Sequence, residues 1–229
     1  MEENDDGPVI HENMKEKNNI IVDKVIMQNA QFRFSYSSSL EARMKIEDDI
    51  VYDIFDKYGL KSIIQIGCGA LSETYKILFN LTQTIEDFKY FGCDLNEDFI
   101  EMNKNRFKHV INKWKFEKLN FIEQPLPDDY DLILSRTALM HLSIESILDT
   151  FHVMANAKQA KYLLVTSNFV KKNSNPENGR FRHVNLLIHP FNLTKYVDVF
   201  HLNKKKMFIL YDIPNYLSKI DFKSIKNQL

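Results

Sequence analysis

Between Lys61 and Ser167, strand-length apolar runs alternate with helical patterns, and this alternation limits the possible folds more than any other feature. Lys61–Ile66 reads as a buried strand, Glu73–Leu81 as a helix and Phe88–Cys93 as a strand. Asn96–Ile111 follows as a helix with Phe99, Ile100, Phe107, Val110 and Ile111 inward. Phe116–Ile122 and Asp131–Ser135 read as further strands, and Lys161–Ser167 as the fifth. Before it, Ser143 caps a helix on which Ile144, Ile147, Leu148, Phe151 and Met154 keep the 3.6-residue period. Strands separated by helices pair in parallel through right-handed crossovers. The expected class is therefore α/β, a doubly wound and mostly parallel seven-stranded sheet. Its last two strands, Tyr196–Leu202 and Lys206–Tyr211, close an antiparallel hairpin around Asn203-Lys204.

The flanks read differently. Residues 1–19 are polar, charged and aperiodic, as expected of a flexible tail. Residues 20–60 read as a helical extension packing on the core. Its helix opens at Ser37-Ser38-Ser39-Leu40-Glu41, with capping-box spacing between Ser38 and Glu41, and stops at Tyr58-Gly59. The main domain is expected over 61–217, with 218–229 as a C-terminal tail. Within it, residues 171–195 lack periodicity, and such a long irregular segment is usually functional or disordered.

Formal net charge is −1, from 30 basic and 31 acidic residues. That balance argues against nucleic acid as a partner, although it leaves room for a local patch. Lys204-Lys205-Lys206 reads as a solvated turn. No apolar run approaches the ~20 residues of a membrane span, and the acidic N-terminus lacks a secretory pattern. The two cysteines, Cys68 and Cys93, form neither a disulfide framework nor a metal knuckle. Buried thiols in a reducing, cytoplasmic setting are the expectation.

Only 6 glycines occur, so their positions carry information. Ile63-Ile64-Gln65-Ile66-Gly67-Cys68-Gly69-Ala70 is a buried strand running into a Gly-x-Gly turn before a helix. Glycine there allows a tight turn and close approach of the backbone to a ligand. The next strand ends Gly92-Cys93-Asp94, placing an acid where a ribose diol can donate two hydrogen bonds. The combination points to an adenosine-type cofactor. Nicotinamide dinucleotide and S-adenosylmethionine (SAM) compete for the site. Ser72 stands where a third dinucleotide glycine would fall, and no Tyr-x-x-x-Lys pair occurs. The closing hairpin also favours SAM.

Residues 61–211 resemble a class I SAM-dependent methyltransferase, with a Rossmann-like fold. The resemblance rests on Ile66-Gly67-Cys68-Gly69, Gly92-Cys93-Asp94, Tyr130–Arg136, Met140-His141-Leu142 and the closing hairpin. A narrower resemblance, over residues 37–210, is to a branch associated with glycan or surface-polysaccharide biosynthesis. It is carried by Ser38-Ser39-Leu40-Glu41, Ser135-Arg136-Thr137…His141-Leu142 and Gly179-Arg180-Phe181-Arg182-His183-Val184-Asn185-Leu186…His189-Pro190-Phe191-Asn192. The resemblance implies SAM contacts from Gln65, Gly67, Cys68, Gly69, Asp94, Leu95, Glu123 and Ser135. It also implies a small-molecule or glycan acceptor. Two positions depart from it, Gln65 and Thr137, where relatives carry acids.

Methyl transfer to a hydroxyl needs a proton acceptor beside the oxygen. His141, after the fourth strand, is the candidate base, and its alternative is a backbone-bonding histidine at a helix start. Arg136 is the candidate carboxylate or phosphate fork, and its alternative is a structural ion pair. Arg182, His183, Asn185 and Asn192 are the candidate acceptor contacts, and no metal site is expected. The leading reading is O-methylation of a sugar, nucleotide-sugar or other small hydroxylated acceptor. The two lost acids leave a binding module without turnover as one alternative. Methylation of RNA or protein is the other.

Overall fold

A computed structural model describes residues 38–110, 112–175 and 181–229, with side chains from residue 45 onward. All of them fall in one compact unit, Tyr36–Leu229. The expected tail at 1–19, the extension up to residue 37, the capping-box side chains, Ile111, Gly179 and Arg180 lie outside the described residues.

Helix α1, Ser38–Tyr58, precedes β1, Ser62–Ile66. It ends at Gly59, whose φ of +59° lets Leu60 N–H donate to Phe55 O at 3.0 Å. Then follow α2 (Tyr75–Thr84), β2 (Lys89–Asp94), α3 (Glu97–Arg106), β3 (Trp114–Lys118), β4 (Leu132–Ser135), α4 (Ile144–Ala155) and β5 (Tyr162–Asn168). Strands β6 (Asp198–Asn203) and β7 (Lys206–Asp212) form the hairpin, and α5 (Phe222–Lys226) ends the chain. The seven strands lie in the order β3-β2-β1-β4-β5-β7-β6, with β7 antiparallel to β5 and to β6. The doubly wound sheet with its closing hairpin is therefore present.

Several boundaries moved. Helix α3 stops at Arg106, and Lys108–Val110 forms a separate 3₁₀ turn. Phe99, expected inward, is exposed, whereas Asn103 is fully buried. Strand β3 lies earlier than Phe116–Ile122, because Trp114 pairs with Tyr90 and seats its ring beside Phe79 of α2. Part of the stretch expected as a C-terminal tail is packed, since Phe222 stacks on Phe151 with ring centroids 5.4 Å apart.

Alternation along the strands sorts the core. Ile64, Ile66, Cys93, Ile133, Leu163, Val165 and Ile209 join one cluster with Ile147, Phe151 and Met154 of α4. The aperiodic segment belongs to the same cluster through Val184, Leu186, Phe191 and Leu193. It starts at the carboxyl edge of the sheet, where Arg182 N–H donates to Met140 O at 3.0 Å. It ends near the other edge, where the Tyr211 hydroxyl donates to Leu193 O at 2.9 Å. Tyr211 pairs with Leu163, one residue into β5. The segment thus crosses the sheet as an extended cover strip. Its apolar residues follow the spacing of the surface it covers, so neither a 2.0 nor a 3.6 period is visible.

Candidate functional site

Strand order reverses between β1 and β4, and the loops leaving their carboxyl ends meet there. In open α/β sheets that crevice is where ligands bind. Gly67 and Gly69 adopt φ of +61° and +52°. A Cβ on Gly67 would lie 2.5 Å from Ala138 Cβ, so glycine is what lets the β1 and β4 loops close on each other. Beside Gly69 there is open space. Cys68 N–H donates to Cys93 O at 2.9 Å, extending the β1–β2 pairing into the turn. The Asn103 amide donates to Gly69 O at 2.7 Å and clamps the turn from α3. Leu71 also holds a left-handed φ of +58°, with its side chain buried.

Asp94 is half-buried at the end of β2. Its Oδ2 accepts from Gly69 N–H and its Oδ1 from Asn96 N–H, both at 2.9 Å. Each oxygen keeps a lone pair for a further donor. Leu95 follows it, exposed beside that carboxylate. Ser135, at the end of β4, is buried, and its hydroxyl is an orphaned polar atom among the described residues. Glu123 sits in the loop after β3, exposed, accepting from the Asn120 amide at 3.0 Å. That loop reaches the turn through Phe121, whose ring lies 3.9 Å from the Cβ position of Gly67. Gly67, Cys68, Gly69, Asp94, Leu95, Ser135 and Glu123 are therefore gathered at one edge.

Gln65 points to the other face of β1 and is already partnered. Its Nε2 donates to Thr74 Oγ1 at 3.2 Å, and its Oε1 accepts from the Tyr90 hydroxyl at 3.0 Å. An amide matches this pair, one donor with one acceptor. Arg136 extends the same network. Its Nη1 donates to Thr74 Oγ1 at 3.3 Å and to the Glu73 carbonyl, and its Nη2 pairs with Glu47 of α1. Lys206 Nζ donates to the other Glu47 oxygen at 2.8 Å. In this geometry the Arg136 fork is engaged by protein acids. Burial raises the Glu47 pKa, but Arg136 and Lys206 together bring it below its ordinary value. Neighbouring Asp48 has one oxygen without a partner among the described residues, and burial pushes its pKa up to about 7. Thr74, Glu47, Asp48 and Asn103 are the polar residues that sequence reasoning missed. Only a buried asparagine inside an amphipathic helix, Asn103, left a readable signal.

His141 ends a 3₁₀ turn, Ala138–His141, at the carboxyl edge of β4 and is exposed. The Phe181 ring stands between His141 and His183, edge-on to both at 5.6 and 5.4 Å. Arg182 fastens this group, donating through Nε to Ser174 O and through Nη1 to Met140 O at 3.5 Å. The other two expected acceptor contacts lie elsewhere. The Asn185 side chain is buried, donating to Val170 O and accepting from Leu187 N–H, both at 3.0 Å. Asn192 lines a cavity of about 350 Å³ with Tyr216 and Ile220 near the opposite edge.

Burial, and then the Asp94 charge, pushes the Cys68 thiol up to about 12. Cys93 is raised further, so both thiols remain neutral and inert. Among the described residues no group of three or more His, Cys, Asp or Glu is placed to hold a metal, and no helix is long and apolar enough to cross a membrane. A further concavity of about 590 Å³ opens at the amino ends of β1, β2, β4 and β5. Its Asp131 is internally paired, accepting from Lys61 N–H, the Ser62 hydroxyl and Lys161 at 2.8–3.0 Å.

Residues 64–160 match the family model described as a methyltransferase domain. No curated protein sequence matches the chain significantly. Among solved structures, the PH0226 protein from Pyrococcus horikoshii OT3 superposes with a TM-score of 0.59 at 12% identity, over 84% of this chain and 98% of that one. Magnesium protoporphyrin IX methyltransferase from Synechocystis PCC 6803, solved with bound SAH, superposes at 0.56 and 14% identity, over 87% and 98%. Mitomycin 7-O-methyltransferase MmcR gives 0.56 and 13%, over 75% and 54%. In all, 705 solved chains match, so the fold by itself says nothing about the acceptor. The fold is that of the α/β methyltransferases, and the family match together with that fold supports a class I methyltransferase.

Proposed function

We propose that this chain binds SAM at the carboxyl ends of β1 and β2 and methylates a hydroxyl of a sugar-type acceptor. The observation that carries the cofactor is Asp94, a carboxylate oriented by two backbone N–H groups beside a Gly-x-Gly turn with open space next to Gly69. The residues present fit the cofactor. Asp94 would accept from the ribose diol, Ser135 offers an unpartnered hydroxyl, and Glu123 and Leu95 flank the edge. SAM supplies the activated methyl group, so the protein's work is positioning and water exclusion. His141, braced by Phe181, stands at the β4 edge to take the acceptor's hydroxyl proton. Arg182 and His183 line the same side, whereas Asn185 and Asn192 serve the cover strip.

The test is calorimetry with SAM and its demethylated product, followed by a labelled-methyl screen of nucleotide sugars, glycans and RNA. Binding with transfer supports the reading, and no binding of either at millimolar concentration removes it. A second reading is a methyltransferase-fold binder without turnover. It is favoured by the engagement of Gln65 with Thr74 and Tyr90, and would appear as binding with no transfer to any acceptor. The glycan branch and a cytoplasmic setting belong to the leading reading as expectations.

A further inference from the structure

The carboxyl edge continues past the candidate site, over β5 and the β6–β7 hairpin, and carries exposed lysines there. Asn168 Nδ2 and Phe169 N–H both donate to Lys205 O, at 3.2 and 3.1 Å. This stitch ties the end of β5 to the hairpin turn that carries Lys204 and Lys205, and Lys171 and Lys172 follow Phe169 by two and three residues. All four lysines are exposed, and none has an ion-pair partner among the described residues. Neither 165–175 nor 199–210 contains an aspartate or glutamate, and Glu145 stands near Arg182 at the Phe181 end. Buried Glu47, which reaches the base of the hairpin, is already matched by Lys206 and Arg136.

Two flat platforms interleave with these charges. Phe169 is 46% exposed and lies parallel to His201, with ring centroids 5.6 Å apart and planes 6° from parallel. Phe181 is 52% exposed between His141 and His183. Phe169 directly follows β5, and Phe181 packs against His141 in the loop after β4, so both stand on the edge that leads to Asp94. Strands are ~4.8 Å apart, and the hairpin turn therefore lies on the order of 10 Å from the end of β4.

We infer that this strip seats a single-stranded nucleic acid, whose phosphates meet the four lysines and whose bases stack on Phe169 and Phe181. Cations that track a backbone, alternating with aromatic faces, are how single strands are held without sequence preference. Two separate ring platforms call for more than one base, which a single nucleotide-linked sugar does not have. As the acceptor's platform the strip rests on the methyl-transfer reading above, and it makes the methylated sugar a nucleotide's.

The experiment is fluorescence anisotropy of a labelled oligouridine twelve-mer with the full chain, with no cofactor added. Four phosphate contacts give a salt slope of about −2.8, so affinity falls about fifty-fold between 50 and 200 mM salt. Replacing all four lysines by alanine abolishes that slope, and Phe169→Ala and Phe181→Ala each weaken binding about tenfold. Circular dichroism checks that the variants fold. Absence of RNA binding at 50 mM salt, or lysine-independent binding, overturns the inference. So does lysine-dependent binding of UDP-glucose that the twelve-mer cannot displace, which would assign the strip to a nucleotide sugar. Calorimetry with SAM runs in parallel. Its failure strikes the cofactor reading and leaves the RNA result standing, and the reverse outcome strikes only the strip.

Discussion

Asp94 ties the Gly-x-Gly turn to the start of α3 through two backbone N–H groups, and it keeps acceptor capacity on the open side. A hydrogen bond to a charged group is worth ~1.5–3 kcal/mol. Asp94→Ala should therefore lower SAM affinity at least tenfold by calorimetry. The two turn glycines separate sterics from conformation. Gly67→Ala meets both a left-handed backbone and a 2.5 Å contact with Ala138, and is expected to cost about 3 kcal/mol in urea unfolding. Gly69→Ala has the same φ problem with free space around it, and should cost only ~1 kcal/mol. Equal losses at the two positions would mean that the loops at the strand-order reversal are not packed as described.

At the scale of elements, one buried polar network joins six of them. Tyr90 on β2 reaches Gln65 on β1, then Thr74 before α2, Arg136 after β4, Glu47 on α1 and Lys206 on β7. Buried ion pairs add little relative to apolar packing, but breaking one strands its partners. Glu47→Ala strips Lys206 of its acid and leaves Arg136 only the more exposed Glu73 carboxylate at 3.7 Å, and is expected to cost about 3 kcal/mol in urea unfolding. A loss below 1 kcal/mol would show that α1 is not anchored through this carboxylate. The network also explains the amide at position 65, because it accepts from Tyr90 and donates to Thr74 at once.

At the scale of the whole molecule, two neighbouring carboxyls pull the pH dependence of stability in opposite directions. Burial raises Asp48 from 3.8 to about 7, so between those values the folded chain holds a proton that the unfolded chain has lost. Its contribution therefore makes stability fall as pH rises through that window. Glu47, held low by Arg136 and Lys206, does the reverse, and its stabilisation is lost as pH falls below its unfolded value. Asp48→Asn should match the parent near pH 4 and exceed it at pH 8 by on the order of 2 kcal/mol, seen as a Tm higher by about 5 °C. An unchanged difference between the two pH values would remove the assignment. Net charge of −1 averages over an uneven surface, because Lys171, Lys172, Lys204 and Lys205 are exposed with no ion-pair partner among the described residues.

What the chain determined locally was readable from it. Ile147, Leu148, Phe151 and Met154 showed α4 by period, and Gly67, Gly69 and Asp94 showed a turn and an acid at the ends of neighbouring strands. Such features depend on residues a few positions apart, where backbone sterics and one-sided burial leave a repeating trace. Only the tertiary structure decided that Arg136 meets Glu47, 89 residues away, rather than open solvent. It alone turned 181–193 from an aperiodic loop into a cover over the sheet, burying Asn185 while exposing Phe181. It also tied the end of β5 to the hairpin turn at Lys205. Those outcomes come from pairings between distant strands, and long-range packing leaves no period in a single sequence.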